Sequence, residues 1–192
     1  ITSLDSIYTH DPCLVSNSGV ILCSMGKDLR RKEPGMISNY FESLGSPIIG
    51  RISAPGKLEG GDIVWIDNRT VAVGVGYRSN FEGIMQLKQI LSDDIDEIIP
   101  SVFALHQNYP NPFNPTTSIE YDLPNDSYTV VTVFDVMGKH VKTLVDKNQS
   151  AGFKTIRWDA KNDKGESVAA GMYIYQIKSG VNIASKKMIL LR

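Results

Sequence analysis

Apolar positions in the first hundred residues fall into short runs separated by turn residues, and the order of the runs repeats. Cys13–Ser16 and Val20–Ser24 flank Asn17-Ser18-Gly19, a hairpin signal because Asn and Gly accept the backbone angles of a tight turn. Pro34 to Leu44 predicts a helix, with Pro near its start and Gly45 as its stop. Met36, Ile37, Tyr40, Phe41 and Leu44 recur near the helical period, and Ile48–Ile52 predicts a strand. The second block repeats the order. Asp62–Ile66 and Val71–Val75 flank Asp67-Asn68, Asn80 to Leu91 predicts a helix, and Asp96–Ile99 closes as a strand. Phe81, Ile84, Leu87 and Leu91 form the stripe of that helix. Hairpin, helix and strand therefore recur at roughly 50 residues, the mark of like units that bury their faces against neighbours.

From Ser101 the pattern becomes all-β. Ile119, Tyr121 and Leu123 alternate, Tyr128–Val136 and Lys139–Val145 flank Met137-Gly138, and Phe153–Trp158, Gly171–Ser179 and Ile183–Leu191 follow. Short strands at close spacing predict a small β-sandwich. The expected class is α+β in two domains, 1–100 and 109–192, joined by a linker at 101–108.

Composition supports the division. Residues 1–100 hold 9 Lys and Arg against 13 Asp and Glu, net −4, and residues 101–192 hold 11 against 8, net +3. The near-neutral whole, −1, offers no basic field for nucleic acid, and no apolar run is long enough for a membrane-spanning helix. Ile1-Thr-Ser-Leu-Asp carries neither an initiator Met nor a leader pattern, as processing or truncation would leave it.

Several polar groups sit at strand and helix ends: Asp11 before Pro12, Arg30-Arg31-Lys32-Glu33, Glu59-Gly60-Gly61-Asp62 and Arg78-Ser79-Asn80. Carboxylates beside glycines suit a planar cation, because a guanidinium fork matches a carboxylate and glycine permits close approach. The same residues have structural readings. Asp62 serves as a turn residue, Arg30, Arg31 and Lys32 as a solvated patch, and Asn80 as a helix cap. Folding the hairpin about Ser18 sets Cys13 and Cys23 opposite each other, as a disulfide or as two small buried groups. The polar run Asp159 to Gly165 lacks the ligand spacing of a calcium loop and reads as a hairpin turn.

Thr9-His10-Asp11-Pro12, Arg30-Arg31-Lys32-Glu33, Leu58-Glu59-Gly60-Gly61-Asp62 and Gly76-Tyr77-Arg78-Ser79-Asn80, in that order, resemble the guanidine-modifying pentein family. That family includes arginine deiminases, amidinotransferases and dimethylarginine dimethylaminohydrolases. The resemblance implies a propeller of ββαβ units, of which two are legible here. It also implies a substrate guanidinium bound by Asp11 and Glu59, and a substrate carboxylate held by Arg78 with Arg30 or Arg31. It implies hydrolase or amidinotransferase chemistry through a Cys nucleophile and a His general acid/base, both beyond the last matching motif. No catalytic residue is therefore assigned, no cofactor or metal is expected, and the chain is expected to be inactive. Self-association through open propeller edges is the expected consequence of so few units.

Gln107 to Thr117, Phe134-Asp135-Val136-Met137-Gly138, Trp158-Asp159, Ala170-Gly171-Met172-Tyr173 and Lys186 to Arg192 resemble the C-terminal sorting domain of type IX secretion cargo. That resemblance implies partners in the export machinery and a sortase, acting on residues 109–192, and a secreted or outer-membrane-surface location. Three functions follow: an inactive guanidine-family domain on an export tag, a piece of a working guanidine hydrolase, or a non-catalytic binder of arginine-like ligands.

Overall fold

Gly19 closes the first turn with φ +147, and a Cβ there would lie 2.5 Å from the Pro47 carbonyl oxygen. Only glycine lets that carbonyl approach and accept the Val20 N–H at 2.8 Å. In the computed structural model, which describes residues 10–191, the turn joins β1 (Cys13–Val15) to β2 (Val20–Leu22). Thr9 and Arg192, at the ends of two of the motifs above, lie outside the described residues. Helix α1 (Glu33–Ser43) returns the chain to β3 (Ile48–Arg51), which pairs parallel to β2. Gly45, φ +73, follows the helix as expected.

The same sequence of elements follows. Strands β4 (Ile63–Trp65) and β5 (Thr70–Val73) pair antiparallel, α2 (Phe81–Ile90) crosses over, and β6 (Glu97–Pro100) pairs parallel to β5. Asn80 caps α2: its Oδ1 accepts the Gly83 N–H at 2.9 Å and the Lys57 N–H at 2.8 Å. Two ββαβ repeats are thus present, each a three-stranded sheet with one helix.

The helix faces differ from the periodic reading. On α1 only Ile37 and Phe41 pack on Cys13, Val20 and Leu22, while Met36, Tyr40 and Leu44 are exposed. Buried Glu33, Pro34 and Ser38 take the space instead. On α2, Ile84, Leu87 and Leu91 are buried and Phe81 is half-exposed. Three of the four stripe positions are thus buried.

The chain divides between Ser101 and Val102. In the second unit β7 (Ala104–Leu105), β8 (Thr117–Leu123) and β11 (Gly152–Trp158) form one sheet, ordered β11-β8-β7. Strands β9 (Ser127–Asp135), β10 (His140–Gln149), β12 (Gly171–Ser179) and β13 (Asn182–Leu190) form the other, ordered β10-β9-β12-β13. Inward residues of both sheets, among them Ile119, Tyr121, Val131, Tyr175 and Ile177, share one core, with Trp158 between Phe113 and Tyr173. The segment expected as linker is not a spacer. Leu105 is buried, β7 pairs with β8, and the Asn108 N–H donates to Tyr175 Oη at 2.9 Å. Alternation over so short a strand gives no periodic signal. The Asn162 side chain accepts the N–H groups of Lys164 and Glu166, so the polar run is the hairpin turn expected.

Candidate functional site

Glu59 caps, and Asp62 ends, a single 3-10 turn at Gly60–Asp62. The Asp62 N–H donates to the Glu59 carbonyl at 3.0 Å, closing the turn between the two acidic residues. The intervening glycines are required by packing. A Cβ on Gly60 would lie 2.0 Å from the His10 carbonyl oxygen, and one on Gly61 2.4 Å from Asp11 Oδ1. The Gly60 N–H donates to the Asp11 carbonyl at 2.8 Å, so the turn is seated on the Asp11 segment.

Glu59 is 1% exposed. Its Oε1 accepts the Gly26 N–H at 2.9 Å and its Oε2 accepts Arg78 Nη1 at 3.1 Å. Nη2 of the same guanidinium donates to Asp62 Oδ1 at 3.1 Å. One planar cation thus spans two carboxylates, an arm on each. Buried Ser79 holds the pair from behind, donating to Asp62 Oδ2 at 2.7 Å and accepting the Glu59 N–H at 3.1 Å. The Arg78 side chain is 40% exposed, so its charge lies outward of the acids.

A second assembly surrounds Arg30, itself 2% exposed. Nη2 and Nε donate to Glu33 Oε2 at 2.7 and 3.0 Å, and Nη1 donates to Asp11 Oδ2 at 2.6 Å. The Glu33 hydrogen bonds, with those to Asp11, outweigh burial and raise its pKa further. Arg31 instead faces solvent and pairs with Asp28 at 2.6 Å. It lines a cleft of ≈ 480 Å³ together with Arg51, Lys57 and the Cys23 region.

The five residues predicted for ligand binding therefore separate. Asp11 is joined to Arg30, Glu59 to Arg78, and Arg31 stands apart with Asp28. Asp62, Ser79, Glu33 and Gly26 complete the two assemblies and were not singled out as binding groups. The Glu-Gly-Gly-Asp motif carried the signal for Asp62, a second carboxylate beside the glycines.

Both cysteines are free and buried. Cys13 pairs with Leu22, and the Cys23 N–H donates to Pro12, so the register is one residue off the cross-strand pairing. Their side chains consequently take opposite faces of the hairpin. Burial pushes both thiols up, and for Cys23 the charges of Cys13, Glu59 and Asp11 push the same way. His106, in the second unit, is held by Asp122 at 2.7 Å, a hydrogen bond that raises its pKa. Among the described residues no group of three or more His, Cys, Asp or Glu is arranged to hold a metal ion. No described helix is long and apolar enough to cross a membrane.

Residues 4–113 match the family model described as arginine deiminase, and residues 113–181 match that of the FlgD Ig-like domain. The model matching the second unit is thus an Ig-like domain and not an export-sorting one. N(G),N(G)-dimethylarginine dimethylaminohydrolase of Pseudomonas aeruginosa is 32% identical over 87 residues, which are 45% of this chain and 34% of that protein. Arginine deiminase of Listeria innocua is 33% identical over 90 residues, 44% of this chain and 22% of that protein. A solved dimethylarginine dimethylaminohydrolase from P. aeruginosa, a cysteine-to-serine mutant complexed with citrulline, aligns at TM-score 0.46 and 29% identity. That alignment covers 50% of this chain and 38% of the solved one. The chain spans about a third or less of the length of these two curated relatives.

Proposed function

The chain belongs to the arginine deiminase family, and on that premise we propose that its first unit binds arginine-like guanidines without the covalent step. The observation that carries this reading is the Glu59–Asp62 pair, which holds a guanidinium across both carboxylates. A covalent step needs a thiolate, and a thiol becomes nucleophilic in an electropositive setting beside a base. Cys13 and Cys23 lie in the opposite setting, buried and, for Cys23, facing negative charge. Glu59 and Asp62 would meet the ligand guanidinium; Asp11, expected beside Glu59 in that role, is instead held by Arg30. Arg78 and Arg31 would meet its carboxylate, since Arg30 is already enclosed by Asp11 and Glu33.

The second unit is proposed as an export address read by type IX machinery and a sortase, which would put the protein in the secreted or outer-membrane-surface pool. Support for this comes from the motifs between Gln107 and Leu191. Phe113 N–H donates to Ile189 O at 2.9 Å, and Leu191 N–H to Phe113 O at 2.9 Å, so the first and last of those motifs lie against each other. A second reading, that these residues are a piece of a longer working hydrolase, is favoured by the 34% coverage of the dimethylaminohydrolase relative.

Calorimetric titration of the full chain with arginine tests the first unit. Heat is expected from the wild type and none from Glu59→Gln. No heat from the wild type at millimolar arginine overturns the binding reading. Citrulline, ornithine, amine and ammonia assays with arginine, agmatine and methylated arginines should all be silent. Turnover abolished by Glu59→Ala would instead establish the hydrolase. For the second unit, retention inside a type IX-secreting host after deletion of residues 109–192 is expected. Unchanged export sinks the address.

A further inference from the structure

The two sheets of the second unit differ on their outer faces. An antiparallel sheet with one buried face usually turns polar residues outward. The β11-β8-β7 sheet does so, with Ser118 and Glu120 on β8 and Thr155 and Arg157 on β11, Phe153 being the apolar exception. The β10-β9-β12-β13 sheet has an apolar end instead. Phe134 on β9 pairs with Ile174 on β12, both half-buried on the side away from the core. Beside them Met172 pairs with Ile189, 45% and 44% exposed, and Leu191 is exposed after them. Further along, the same face is mixed: Thr132, Gln176 and Ser185 share one level, and Asp146, Val130, Lys178 and Ile183 the next. A contiguous apolar patch of this kind on an otherwise ordinary surface marks a contact.

We propose that this face docks on the same face of a second copy of the chain, about a twofold axis parallel to the strands and midway between β9 and β12. Such an isologous contact requires a surface complementary to itself, and the register supplies one. The axis lays β9 over the partner's β12, and β10 over the partner's β13, with every cross-strand pair kept at its own level. Phe134 therefore meets Ile174 twice, once in each direction, and the Met172–Ile189 end closes on its counterpart. At the mixed end Asp146 of β10 comes over the partner's β13, one strand from Lys178 at the same level, so opposite charges meet. A twofold running across the strands would set the apolar end on the mixed one. Charge and hydrophobicity thus select the same axis.

Size sets the expected strength. Strands of nine or ten residues, four abreast, present a face of about 19 by 30 Å. The two footprints together come to about 1,100 Å², just above the roughly 1,000 Å² that a specific interface needs. The contact is therefore a reversible one, and it is independent of the guanidine site.

Sedimentation velocity of the full chain across the micromolar range tests this, with melting curves run on every variant. Wild type should move reversibly from monomer to dimer as concentration rises. Ile174→Lys sets a charge in the apolar end and should weaken the dimer at least roughly tenfold. Met172→Lys, at a position already 45% exposed, should do the same and guards against a fold lost at Ile174. Thr155→Lys, on the outer face of the other sheet, should leave the dimer unchanged. Asp146→Lys and Lys178→Asp should each weaken it roughly threefold, and the double variant should recover the wild-type constant. A wild type that stays monomeric leaves the face to some other partner and overturns the proposal. Association that survives both Ile174→Lys and Met172→Lys in folded protein runs through a different surface and overturns it equally. So does a double variant that fails to recover.

Discussion

Arg30 and Arg31 are adjacent in sequence and opposite in environment. Arg30 is 2% exposed between two carboxylates; Arg31 reaches solvent with its side chain 68% exposed. Removing one partner of a buried ion pair leaves uncompensated charge, at a cost of about 3–5 kcal/mol, whereas exposed pairs contribute about 0–1 kcal/mol. Arg30→Ala should therefore lower the stability of the first unit by about 3–5 kcal/mol, and Arg31→Ala by less than about 1 kcal/mol. Urea melts of both variants check this, and equal effects would mean the enclosed network carries no stability. The sequence separated neither residue, because burial depends on the Asp11 segment arriving from elsewhere in the chain. The motifs of the family resemblance name Asp11 and Glu59, and the structure buries both. Asp62 stands in the Glu59 motif with two open readings, a carboxylate for a planar cation and a turn residue, and the glycines before it are the packing surface for His10 and Asp11.

At the scale of elements, periodicity recovered both described α-helices and nearly every described strand, and it failed where contacts rather than period decide. The hairpin is centred between Asn17 and Ser18, as the Val15↔Val20 pairing requires, not on Ser18. That half-step moves Cys23 to the other face, a distinction invisible in a hydrophobic pattern because both faces are buried. Gly83 in α2 makes a related point. Helix propensity favours Ala over Gly by about 1 kcal/mol. A Cβ at Gly83 would lie 2.1 Å from the Lys57 carbonyl oxygen, on a loop that the Asn80 side chain ties down. Because backbone must move, overpacking of about 1–3 kcal/mol outweighs propensity. Gly83→Ala is expected to melt lower than wild type, and a higher melting temperature would show that the loop yields.

Across the whole chain, the first unit gathers the acidic site while the second has its own core, drawn from two sheets. Charge counts and the change of period already placed the division near Pro100. What they missed is that the residues just after it belong to the second fold, through β7 and the Asn108–Tyr175 hydrogen bond. A unit with a separate core unfolds on its own account, so damage to it should stay local. Ile177 is fully buried between the sheets. Ile177→Ala should cost about 2–5 kcal/mol through lost transfer energy and the cavity left behind. Calorimetry of the full chain should then show one transition moved down and the other unchanged. Arginine titration at a temperature below both transitions should give the wild-type affinity. A shift of both transitions together, or a weakened arginine affinity while the first unit remains folded, would show that the two folds share their stability. The carboxylate cradle would then have to be understood as a property of the whole chain.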